Sequence, residues 1–187
     1  YIVMSGAAVI SFTARALAGE MASGAIQLPL SRAISRPAVY LSSFVGATVV
    51  AAMVAVAGPL GMLAGLAYAQ PGDFPLAHLW SMTPLCFALL WAIAGLSLLF
   101  SAVASSSGRV VGWSLGLLLF SYFVDYFAGV WEPLRAILFL SLFEYFAPTT
   151  TLVDGVAEPR SVAILLLTGT IAFTAGLVAF TQRDLPG

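Results

Sequence analysis

Residues 79–104, LWSMTPLCFALLWAIAGLSLLFSAVA, contain no charged side chain. An α-helix rises about 1.5 Å per residue and the hydrocarbon core of a bilayer is about 30 Å thick, so roughly 20 apolar residues suffice to cross it. This run is long enough. Working outward, similar apolar runs cover residues 38–69, 110–130 and 161–181, and a shorter one, residues 1–17, carries Arg15 near its end. The pattern predicts an all-α, polytopic membrane helix bundle with five spans in one domain, residues 1–187. The first run is not expected to be a cleaved signal peptide, because no basic n-region precedes it here and no small-residue cleavage site is followed by a soluble domain.

Composition points the same way. Of 187 residues 61% are hydrophobic, and 7 Lys+Arg with 8 Asp+Glu make the chain 8% charged, against roughly 25% in soluble domains. A water-soluble enzyme domain and a disordered tail are excluded, and a net charge of −1 offers no surface for neutralising nucleic-acid phosphates. Every basic residue is arginine, so a P-loop lysine, a Schiff base and a Ser–Lys dyad are impossible. Cys86 is the only cysteine and His78 the only histidine, which leaves no disulfide within the chain and no multi-histidine metal cluster. No catalytic residue, metal site or cofactor site is expected in this chain.

The second span should start near Pro37, since proline suits a first helical turn, and should kink at Gly58-Pro59-Leu60-Gly61. Between the last two spans, residues 131–160 form an external loop. Its apolar stretch 134–146 is too short and too interrupted by acid to cross a bilayer, which predicts short re-entrant or interfacial helices. Residues 149–160, with Asp154-Gly155, read as a polar turn. Arginines set the orientation: Arg15, Arg32, Arg36, Arg109 and Arg183 fall on one side, Arg135 and Arg160 on the other, and the richer side is cytoplasmic. Trp80 and Trp131 then anchor the outer interface and Trp113 the inner one. Tyr1 starts outside with no hydrophobic signal before it, so a further span is expected upstream.

Small residues recur every fourth position at Ser43, Ala47, Ala51 and Ala55, and at Gly108, Gly112 and Gly116. Such stripes let helices approach closely in lipid, and packing within the chain is expected of both. Asp125, near the outer end of its span, supports two readings: it lines a substrate path, or it snorkels to the interface between Tyr122 and Tyr126. The second asks for less. His78 reads as an ordinary interfacial histidine, and Cys86 as a small buried hydrophobe.

The loop at residues 18–37 is too long for a tight turn. Its sequence over residues 19–36, GEMASGAIQLPLSRAISR, suits a short cytoplasmic helix. Glu20 favours the positive end of the helix dipole, while Arg32 and Arg36 face water or acidic groups. Docking to a partner and lying on the inner headgroups are both open on composition alone.

These residues resemble the permease subunits of type-2 ABC exporters. The corresponding loop of that family carries Glu20, Gly24, Leu28, Leu30, Ser31, Ile34, Ser35 and Arg36, and this chain departs from it at Met21, Ala25, Gln27, Pro29 and Ala33. Further along, residues 95–104 with Gly108, Tyr145 with Pro148, and Phe180 with Arg183 and Asp184 are similar to later family motifs. The family usually has six spans, and this chain resembles spans two to six. The resemblance implies a multi-pass protein of a prokaryotic plasma (inner) membrane, without catalysis of its own. It implies pairing with a second permease subunit, identical or different. Glu20, Gly24, Arg32 and Arg36 would form a coupling helix against a separate ATP-binding cassette subunit, which holds the ATP and Mg. Residues 132–148 would cap the exit. The rival readings are a membrane scaffold that docks a cytoplasmic partner, and a gradient-driven transporter working through Asp125.

Overall fold

The computed structural model describes residues 2–15, 36–69, 76–104 and 106–182. Glu20, Gly24 and Arg32, with the rest of residues 16–35, lie outside the described residues, as do Arg183 and Asp184. The elements in order are α1 (Ile2–Thr13), α2 (Arg36–Ala69), α3 (Ala77–Val103), α4 (Ser107–Ala128), a 3-10 helix (Glu132–Leu140), α5 (Pro148–Asp154) and α6 (Pro159–Gln182). Among the described residues there is no strand, and four helices, α2, α3, α4 and α6, are long and apolar enough to cross a membrane. The polytopic helical bundle is therefore observed, with four of the five expected spans as membrane-length helices among the described residues; the end of the first, residues 16–17, lies outside them. In α1, 12 residues are helical, roughly 18 Å at about 1.5 Å per residue. A π-type turn follows at residues 14–15, and just before it the Thr13 hydroxyl donates to the carbonyls of Val9 and Ile10 (3.1 and 3.0 Å).

α3 is the hub. Of its membrane segment 67% is buried inside the molecule, against 17%, 28% and 22% for α2, α4 and α6. Lipid tails are as apolar as leucine, so helices are held together by close packing rather than by the hydrophobic effect. The tightest packing joins α3 to α6. A β-carbon on Gly95 would collide with the Gly169 carbonyl oxygen, and one on Gly169 would stand 2.7 Å from the Trp91 carbonyl oxygen. One on Gly176 would strike the Tyr40 hydroxyl and stand 3.0 Å from Leu99 Cα. The Tyr40 ring, from α2, lies over Phe173 and Phe180 with centroids 5.3 and 5.7 Å away.

Ser43, Ala47, Ala51 and Ala55 are buried, as their spacing predicts. The glycine stripe is different: Gly108, Gly112 and Gly116 have no neighbour within 4 Å of an added β-carbon. The reason is angular. The buried face of α4 carries Val110, Ser114, Leu118 and Ser121, and two residues turn an α-helix by about 200°, which puts the glycines on the opposite side.

The end of the bundle where α3 and α6 begin and α4 ends is called outer here, after the arginine asymmetry. There residues 134–146 form most of a 3-10 helix and a turn, consistent with the short outer helices expected. Residues 149–154, read as part of a polar turn, instead belong to α5. Pro148 fits its first turn, and Gly155 ends it in the left-handed conformation at φ 70°, with its N–H bonded to the Thr151 carbonyl. Two residues at the start of α3 fasten α5. His78 Nδ1–H donates to the Leu152 carbonyl (3.0 Å), and the Ser81 hydroxyl reaches the carbonyls of His78 (2.6 Å) and Thr151 (3.2 Å). His78 is thus a structural fastener rather than a loose interfacial side chain.

Candidate functional site

At the outer end, α2, α3 and α4 line an open apolar cavity of about 780 Å³. Each wall follows from local sequence. The helix α2 continues past Pro59, and there Ala57, Gly58, Pro59 and Gly61 present little or no side chain, which leaves the space open. From α3 come Met82 and Cys86, four residues apart and so on one face. From α4 come Tyr122 and Asp125, three residues apart. Phe143, Phe146 and Pro148 of the outer segment complete the lining, with Met62.

That outer segment is pinned to α4 by Ser121. The Ser121 hydroxyl accepts from the Leu142 N–H (2.9 Å), and the Ser121 carbonyl accepts from the Ser141 hydroxyl (2.8 Å). The Ser141 oxygen in turn accepts from the Phe143 N–H (3.1 Å). Three hydrogen bonds, two of them buried, thus hold the point where the chain turns back beside the cavity, and the Phe143 ring meets Tyr122 edge to face at 5.8 Å.

The structure thus brings Asp125 and Cys86, two residues singled out in the sequence, into one chamber. Asp125 is partly buried, and its carboxylate makes no hydrogen bond or ion pair to another described residue. Cys86 is a buried free thiol. A volume of this size lies within the range of small-molecule sites, roughly 300–1,000 Å³. Among the described residues no group of three or more His, Cys, Asp or Glu could hold a metal ion. Arg36 is the first residue of α2, on the order of 33 Å along the helix axis from Gly58 at about 1.5 Å per residue. Sequence reasoning missed Met62, Met82 and the aromatic residues Phe143 and Phe146 as cavity lining. The available signal was the Ala57-Gly58-Pro59 segment, read only as a kink.

A second outer cleft, about 460 Å³, is lined by Arg135, Glu144, Glu158 and Arg160, and there the Ser161 hydroxyl donates to Glu158 Oε2 (2.7 Å).

None of the curated proteins and none of the solved structures compared matches the chain. The model of the family described as ABC-2 family transporter protein matches residues 2–185. With four membrane-length helices and a family match over nearly its whole length, the chain belongs to the ABC-2 transporter family, as a membrane-spanning permease component.

Proposed function

We propose that this chain is the permease subunit of an ATP-driven exporter, moving substrate by alternating access while a separate ATP-binding cassette subunit hydrolyses ATP with Mg. The observation that carries the reading is the family match over residues 2–185, and the outer cavity gives a substrate somewhere to sit. Two permease subunits, identical or different, form the pathway in a prokaryotic plasma (inner) membrane. Residues 18–37 act as the coupling loop, with Glu20, Gly24, Arg32 and Arg36 against the ATP-binding subunit. Closure of the ATP-binding subunits favours one orientation of the loops, and so shifts the population between inward- and outward-facing states. α2 connects the two ends mechanically, since it runs as one helix from Arg36 to the cavity wall at Gly58.

The test is purification of the intact protein in mild detergent, asking whether a Walker-motif ATPase accompanies it. The expected result is a specific ATPase with the wild type and its loss on Arg36→Glu combined with Gly24→Trp. Absence of any ATPase, or its retention by that variant, contradicts the coupling role and favours the scaffold or the gradient-driven reading.

A further inference from the structure

The outer cavity has a charge imbalance that its geometry does not resolve. Asp125 is the one carboxylate among the described residues that line it, no Arg or His joins it there, and its carboxylate has no hydrogen bond or ion pair to another described residue. An acid in so apolar a chamber near the membrane is costly unless a cation or a proton accompanies it. The other lining groups narrow the choice. A hard metal ion needs about six oxygen ligands, and the lining side chains supply oxygen only from Asp125 and Tyr122. Tyr122 and Phe143 instead bring aromatic rings, whose faces attract a cation spread over an organic frame, and Met82 offers a polarizable thioether. At about 780 Å³ the space is that of a drug-sized molecule, far larger than a single ion.

We propose that the cavity between α2, α3 and α4 binds a hydrophobic organic cation, with Asp125 as its counter-ion and Tyr122 and Phe143 against its apolar body. This deepens the permease reading and rests on it for the biological role, although binding itself requires neither ATP nor a partner subunit.

Cys86, the only cysteine of the chain, lines the same cavity and serves as a native reporter. The intact chain, purified without any ATPase and placed in nanodiscs of uncharged lipid, is treated with N-ethylmaleimide. Labelling of Cys86 is followed by mass spectrometry against increasing tetraphenylphosphonium. Tetraphenylborate, of the same shape and opposite charge, is the comparison. The expected result is protection of Cys86 by the cation at least roughly tenfold more effectively than by the anion. Asp125→Asn removes that preference, Asp125→Glu keeps it, and Met82→Trp, which fills the cavity, weakens protection by either probe.

Equal protection by the two probes, no protection by the cation, or an unchanged preference in Asp125→Asn overturns the proposal. A charge preference in a chain that never captures an ATPase sinks the exporter reading and leaves the ligand class standing. Capture of an ATPase without a charge preference does the reverse.

Discussion

Gly95→Ala and Gly112→Ala make the same chemical change on neighbouring helices, and the structure predicts opposite outcomes. A β-carbon at position 95 would stand 2.9 Å from Gly169 Cα and closer still to the Gly169 carbonyl oxygen, all of it backbone that no rotamer change can clear. Relief requires α3 and α6 to separate by roughly 1 Å. A gap of that order forfeits a quarter to a half of each atom contact, itself worth about 0.1–0.2 kcal/mol, and over some tens of contacts the loss is about 2 kcal/mol. At position 112 nothing lies within 4 Å, so the added methyl meets no protein atom. There the helix gains the roughly 1 kcal/mol by which alanine exceeds glycine, or less in lipid. The variants should therefore differ by about 2–3 kcal/mol, which for a domain of this size is roughly 4–12 °C in Tm. Heating in detergent followed by size-exclusion chromatography of the monodisperse fraction measures this. Gly95→Ala should melt below wild type, and Gly112→Ala at or above it. A Gly95→Ala protein as stable as Gly112→Ala would refute the packing argument and, with it, the assignment of α3–α6 as the tightest contact of the fold.

Three further outcomes are expected. Gly176→Ala should destabilise the protein, and Tyr40→Phe in the same chain should recover part of that loss, because the added methyl meets the Tyr40 hydroxyl first; a double-mutant cycle in thermal melts that comes out additive would contradict this. Ser121→Ala leaves the buried Leu142 N–H without its acceptor, at a cost of about 1–3 kcal/mol, and should loosen the outer turn enough to raise the maleimide labelling rate of Cys86 several-fold; an unchanged rate counts against Ser121 as the anchor of that turn. His78→Ala with Ser81→Ala removes both ties from α3 to α5, and amide hydrogen exchange over residues 148–155 should quicken by roughly tenfold or more, while exchange in the centre of α3 stays slow.

The membrane class of the fold could be read from the sequence because it depends on long uncharged runs, and residues 38–69, 79–104, 110–130 and 161–181 each became a membrane-length helix. Helix faces were harder to read. Gly108, Gly112 and Gly116 form the neater stripe, yet a face is chosen by what it meets, and the neighbours of α4 select the Val110-Ser114-Leu118 side. Of the glycines that bring helices together, Gly95 and Gly169 belong to no four-residue stripe, and Gly176 continues only the short run Thr168, Ala172. α5 was hidden for a related reason. A helix of 7 residues cannot hold itself together in isolation, and it exists because His78 and Ser81, some 70 residues earlier, hold its carbonyls. At the cavity, Asp125 stood out as an acid inside a span, but its chamber depends on three helices and a turn coming together, which one-dimensional spacing does not encode.

In the proposed exporter, ATP-driven motion of the cytoplasmic loop reaches the outer cavity, which Cys86 lines. The decisive measurement is the maleimide labelling rate of Cys86 in the complex with its ATPase, compared between the nucleotide-free state and the state trapped by ATP and vanadate. Coupling through residues 18–37 requires a rate that changes several-fold on trapping in the wild type and does not change in Arg36→Glu. An identical rate in the two states of the wild-type complex would contradict it.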